Sequence, residues 1–201
     1  MRHQQRSRLL LLAMTLPAIV LGGIALCNQS NSKADGDNPM NVTRITVEHV
    51  RVVADKPFEQ VTKALEKQLG QFDPEVYKSL TASEDADKIR SKIEAMAGSS
   101  GFMLFKTSDH GALLRLAGQK KKAMQYILGN PLLAIQMTQH DIRAGLYAPL
   151  RVLVYENADG KTCVEYDKPS SLFGQFDNVK VTEVATTLDR KMEQLVAKSF
   201  K

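Results

Sequence analysis

The chain has 201 residues, of which 43% are hydrophobic and 24% charged, enough for one globular domain with appendages and too few for two. Its formal charge is +5, and beyond Met40 the balance is 23 basic to 20 acidic residues. With Lys120-Lys121-Lys122 as the only dense basic cluster, it offers no electrostatic footprint for nucleic acid, and two cysteines without a CxxC spacing exclude a disulfide framework and a zinc knuckle.

Arg2, Arg6 and Arg8 precede an uncharged apolar run from Leu9 to Cys27, nineteen residues in all. Basic residues before an apolar core mark an export signal. Its length exceeds the roughly 7–15 residues of a cleavable core and reaches the roughly 17–25 that span a bilayer. Residues 1–27 therefore read as a signal peptide, with Gly23-Ile24-Ala25 as cleavage site, or as a retained membrane anchor. A lipoprotein signal ending at Cys27 is the weaker reading, because Leu26 stands where processing wants a small residue. In each version the remainder is exported, to the periplasm or the outer face of the inner membrane of a bacterium. Residues 28–41, with Ser30, Ser32, Gly36 and Pro39, read as a flexible linker.

An α+β domain is expected over 42–201. Ile45, Val47, Val50 and Val52 predict a first strand, with a phase change near Glu48-His49 that suggests a bulge. Lys56-Pro57 starts a helix in which Phe58, Val61, Leu65 and Leu69 share a face, and Gly70 is expected to end it. Between Gln71 and Ser100, Asp73-Pro74 starts one short helix. Ser83 can cap a second, with Ala86, Ile89, Ile93 and Met96 on one side. This helical hairpin either packs on the domain or meets a partner, and packing is favoured. A strand over Phe102–Thr107 ends at Ser108-Asp109-His110, and a short helical segment, Ala112–Leu116, leads through Gly118 to the next strand.

The sequence is most informative around Gly129-Asn130-Pro131. Met124, Tyr126 and Leu128 alternate with Ala123, Gln125 and Ile127 as in a strand. Gly129 can adopt positive φ, Asn130 is a strong helix N-cap, and Pro131 suits the first helical position. The strand should thus pass directly into a helix over Leu132–Thr138, with Asp141 capping one further turn, Ile142–Leu146. Pro149 opens a strand over Leu150–Glu156, Asn157-Ala158-Asp159-Gly160 makes a hairpin with Gly160 at positive φ, and Lys161–Asp167 returns. Pro169–Phe176 forms a small helix or turn. Val181, Val184, Ala185, Leu188, Met192 and Leu195 line an amphipathic closing helix.

Asp109-His110, Gly129-Asn130-Pro131, the run from Ala144 to Glu156, and Val164-Glu165-Tyr166-Asp167-Lys168-Pro169 resemble the family called domain of unknown function 302 over roughly His49 to Asp177. The resemblance implies a single β-α-β-β-β-β-α domain, related in shape to the TATA-binding-protein fold. It thus implies a mostly antiparallel five-stranded sheet with two principal helices, interrupted by the helical hairpin at 71–100. It implies no reaction.

The chemistry-bearing residues are few. Asp109-His110 places an imidazole beside a carboxylate at a strand end, where it can act as base or ligand. His110, His140 and Asp141, with His49, are candidates for a metal site. Tyr126, Tyr147, Tyr155 and Tyr166, with Met124 and Met137, are candidates to line an apolar pocket, and Asn130 joins Asp109, His110, Tyr126 and Tyr166 as a candidate ligand contact. Cys163 reads as a packed hydrophobe. The sequence contains no GxSxG, Walker loop, HExxH or GxGxxG. These observations favour a non-enzymatic exported module that binds a small molecule or a partner protein, with no cofactor indicated and the membrane engaged through residues 1–27 if they are retained. A metal-dependent role for His110 and His140 is the first alternative, and self-association through an exposed sheet edge the second.

Overall fold

The computed structural model describes residues 40–79 and 85–201. Contacts divide the chain into Met1–Val42 and Thr43–Lys201, and the second unit carries every element described. The apolar run Leu9–Cys27, the linker residues up to Pro39 and the Ser83 cap fall outside the described residues. Among those described, no helix is long and apolar enough to cross a membrane.

The strands are β1 (His49–Ala54), β2 (Gly70–Gln71), β3 (Met103–Asp109), β4 (Ala123–Gly129), β5 (Leu150–Glu156) and β6 (Thr162–Asp167). They form one sheet in the order β1-β6-β5-β4-β3-β2, in which only the β2–β3 pair is parallel. The helices are α1 (Phe58–Glu66), α2 (Glu75–Ser79), α3 (Ala86–Ala95), α4 (His110–Leu114), α5 (Pro131–Thr138), α6 (Pro169–Phe173) and α7 (Val179–Ser199).

The side-chain period of two decides which face is covered. Tyr126 pairs with Val152, Val154 with Val164, and Val164 with Val52, so these five line one face. Against that face lie Val61 and Leu65 of α1 and Ala185, Leu188, Met192 and Leu195 of α7, forming the principal core with Leu128 and Tyr166. The alternate register positions, His49, Arg51, Glu165, Leu153 and Gln125, form the opposite face. The closing helix begins at Asn178, whose side chain accepts from the N–H groups of Lys180 and Val181, satisfying donors that a helix start leaves orphaned.

Several expectations are corrected. The sheet has six strands: β2 was missed. It is held by hydrogen bonds from the Gly70 N–H to the Phe102 carbonyl and from the Phe72 N–H to the Leu104 carbonyl, so Gly70 opens a strand, while α1 ends earlier, at Glu66. The first strand starts at His49, after Ile45 and Val47, and its register with β6 is unbroken. The irregularity lies instead in β3, between Leu104 and Lys106. Both helices of the 71–100 segment form, and α3 is capped by Asp85, whose carboxylate accepts from the Asp87 N–H. Ile89 and Ile93 are buried with Met103 in a second small core, which agrees with packing on the domain.

Candidate functional site

The turn at Gly129-Asn130-Pro131 forms as its residue types dictate. Asn130 Oδ1 accepts from the Leu132 N–H at 2.9 Å, capping α5, while its Nδ2 donates to the Gly101 carbonyl at 2.9 Å. One side chain thus starts a helix and ties it to the entry of β3. Pro131, at the first position, gives up no hydrogen bond there. Gly129 differs from expectation: it is absent from the residues at positive φ, which are Gly101, Gly118, Gly160 and Asp177. Its role is close approach, since a Cβ there would stand 3.3 Å from the Phe105 ring and 3.5 Å from Pro149 Cβ.

That approach borders a cavity of about 240 Å³. Phe105 comes from the irregular stretch of β3, Leu133, Ala134 and Met137 from α5, Pro149 and Leu150 from the entry to β5, Phe173 from α6 and Leu188 from α7. No charged side chain lines it. Asn130 is its polar contributor, and both polar atoms of that amide are already engaged. Met137 and Phe173 are fully buried, and Tyr147 packs edge-on against the Phe173 ring at 6.1 Å. The walls are therefore fixed by the core, and the cavity accepts apolar surface without leaving a charge unpaired.

The other candidates separate. Tyr126 and Tyr166 point into the principal core. The Tyr126 hydroxyl donates to Glu66 Oε1 at 2.8 Å, and burial, then the Glu66 carboxylate, pushes its pKa far upward. Burial likewise raises Tyr166, to about 12. Neither lines the cavity; of the candidate ligand contacts, Asn130 alone is there, joined by Met137. Asp109 caps α4, accepting from the Ala112 N–H at 2.8 Å. His110 borders a broad shallow depression with Lys121, Lys122, Gln125 and Tyr155. The Asp141 carboxylate forms a forked pair with Arg143, with a shortest contact of 2.6 Å, which holds its pKa low, and also accepts from the Arg143 N–H. His140 is exposed at the end of α5, its carbonyl accepting from Asn178. Among the described residues, no three His, Cys, Asp or Glu side chains gather so as to hold a metal. The set His110, His140 and Asp141 is not assembled.

His49 belongs to a network on the opposite sheet face. Its Nδ1 lies 2.8 Å from Asp167 Oδ1 and its Nε2 3.1 Å from Glu165 Oε2. The Tyr155 hydroxyl donates to Glu165 Oε1 at 2.6 Å, and Arg51 approaches the same oxygen at 3.2 Å. The hydrogen bonds to Asp167 and then Glu165 raise the His49 pKa, the Tyr155 hydroxyl lowers that of Glu165, and Glu165 raises Tyr155 to about 12. Cys163 is fully buried beside Arg51. Each group is partnered, and the network closes a cross-strand ladder of β1, β6 and β5.

Sequence reasoning missed Phe105, Phe173 and Leu188 as cavity walls. No local signal distinguishes them from core residues, because only the tertiary path brings them to the Gly129 turn.

No curated protein matches the chain. A crystal structure of an uncharacterized conserved DUF302 protein from Bacillus stearothermophilus is similar in fold, with a TM-score of 0.54 at 16% identity, covering 75% of this chain and 97% of that one. The model of the family described as domain of unknown function DUF302 matches residues 78–199. That span includes α3, within the segment expected to interrupt the family pattern, and extends to the last residue of the closing helix. The chain belongs to the DUF302 family.

Proposed function

We propose that this protein is an exported, non-enzymatic binding module of the bacterial cell envelope, and that it takes a small apolar molecule in the cavity beside the Gly129-Asn130-Pro131 turn. The observation that carries this reading is the cavity's chemistry: about 240 Å³, walled by apolar side chains with the one polar contributor already hydrogen-bonded. An apolar cavity of about 150 Å³ accepts benzene. The larger volume therefore suits a bicyclic ring or a short acyl chain. Export rests on the basic start and apolar run of residues 1–27. One sheet with its principal helices α1 and α7 on a single face also supports the shape relationship to the TATA-binding-protein fold, which by itself carries no function.

The test compares the native and denatured masses of the full chain purified from its exported compartment. A retained, non-covalent species that Ala134→Phe removes supports the reading. A bare mass, together with no saturable uptake of the uncharged probe N-phenyl-1-naphthylamine, defeats it.

One observation favours a second reading. β1 pairs only with β6, so its other edge is free within the described sheet, and a free edge can pair with a second copy. Sedimentation over a hundredfold concentration range tests this, and an unchanging monomer mass removes it.

A further inference from the structure

The connection between β3 and β4 presents a pairing of chemistries that the cavity does not use. Here α4 and the 3-10 turn Arg115–Ala117 form one continuous helical stretch. It is closed by hydrogen bonds from the Gly118 N–H to the Arg115 carbonyl and from the Gln119 N–H to the Leu114 carbonyl, both 3.0 Å. Leu113 and Leu116 stand three residues apart, on one side of such a stretch, and are 60% and 90% exposed. A leucine so fully in water gains nothing from the fold.

The charges beside them are unbalanced. Arg115, Lys120, Lys121 and Lys122 border one depression together with Glu156. Lys122 is neutralised by Glu59 at 2.8 Å and Glu156 at 3.1 Å. Arg115, Lys120 and Lys121 form no ion pair among the described residues. Of the neighbouring carboxylates, Asp109 accepts from the Ala112 N–H, and Glu165, which shares a second depression with Lys121, is engaged by Tyr155 and His49. The contrast with the other exposed apolar turn is informative: Ile142 and Leu146 are also exposed, but the intervening Arg143 is paired with Asp141, so that turn shows no uncompensated charge.

We propose that the Leu113–Lys121 connection is a membrane-docking element, which inserts Leu113 and Leu116 into the interface of an anionic lipid bilayer while Arg115, Lys120 and Lys121 contact its headgroups. Exposed leucines on the same connection as unpaired cations match that surface in both apolarity and sign, and long basic side chains reach the headgroup level while their stems lie against the apolar layer. The inference is independent of the cavity and of what fills it.

The chain contains no tryptophan, so Leu116→Trp supplies a single reporter in the full chain. The variant is mixed with vesicles of brominated phosphatidylglycerol and phosphatidylcholine, and with vesicles of brominated phosphatidylcholine alone. Gln136→Trp on α5, beyond the opposite end of β4, serves as control. The proposal expects the indole at position 116 to be quenched at least twofold by the anionic vesicles and little by the neutral ones, with the indole at 136 unaffected. Each of Arg115→Glu, Lys120→Glu and Lys121→Glu should raise the lipid concentration needed for half-quenching about fivefold or more. Because the N-terminal segment can itself hold the chain on vesicles, co-sedimentation is not the readout. An unquenched indole at 116 on vesicle-bound chain overturns the proposal and leaves a soluble partner for this surface. Quenching that ignores lipid charge or the three reversals, or that appears equally at 136, overturns it as well.

Discussion

Replacement of Asn130 should separate two jobs performed by one side chain. Asn130→Ala removes the cap on the Leu132 N–H and the bond to the Gly101 carbonyl, each 2.9 Å long. Loss of an N-cap costs about 1 kcal/mol, and loss of a partly buried neutral hydrogen bond about 1 kcal/mol more, for a total of about 2 kcal/mol. Asn130→Ser retains an oxygen for the Leu132 N–H but cannot reach Gly101, so it should cost about half as much. Asn130→Asp also retains the cap but turns a carboxylate oxygen toward the Gly101 carbonyl, and should be no better than serine. Urea unfolding at neutral pH measures all three, provided the m-values agree with wild type. If alanine and serine destabilise equally, or alanine costs less than about 0.5 kcal/mol, the turn is not tied to β3 as described.

Three further outcomes are expected. Ile93→Ala should destabilise the domain by about 2–4 kcal/mol, because Ile93 is buried with Ile89 and Met103; a loss below about 1 kcal/mol in the urea midpoint analysis would show that α3 is dispensable to the core. Tyr126→Phe removes a bond to Glu66 but leaves a carboxylate at the exposed end of α1 that water can solvate, so the cost should be about 1 kcal/mol, and a loss as large as that of Ile93→Ala would contradict this. His49 should make stability fall with rising pH. Its folded pKa lies above 6.5 because of Asp167 and Glu165, so its contribution is complete below the unfolded value and is lost as pH rises through the folded one. With the imidazole half exposed, the contribution is about 0.5 kcal/mol. The difference in urea midpoint between wild type and His49→Gln should therefore shrink between pH 5.5 and 8.5, and a constant difference would refute the pairing.

Much of the domain was legible where local chemistry and tertiary demand agree. Asn130-Pro131 caps and starts a helix in any surroundings, the alternation over 150–156 and 162–167 survives because one face is covered, and the Val181–Leu195 stripe meets the sheet as its period requires. The failures share a physical cause. Gly70-Gln71 looks like the end of a helix, and becomes strand only through its pairing with Met103-Leu104. Ile45 and Val47 have strand composition but precede the residues that pair with β6. Tyr126 and Tyr166 were legible as large side chains, yet their direction depends on which face the long helices cover. The cavity was legible only at Asn130 and Met137, because Phe105, Phe173 and Leu188 reach it from three elements separated by long stretches of chain. His110, His140 and Asp141 are ligand types whose spacing in sequence gave no information about their separation in space.

The central claim, that the cavity beside Gly129-Asn130-Pro131 is a binding site for a small apolar molecule, is tested most directly by titrating N-phenyl-1-naphthylamine against the wild-type chain and Ala134→Phe. Ala134 lines the cavity from α5 and is only partly buried, so the larger ring fills the space without entering the principal core. Saturable fluorescence enhancement at one probe per chain, abolished by Ala134→Phe with an unchanged urea midpoint, is the predicted result. Equal binding by both proteins, or none by the wild type after its native mass shows the cavity empty, would contradict it.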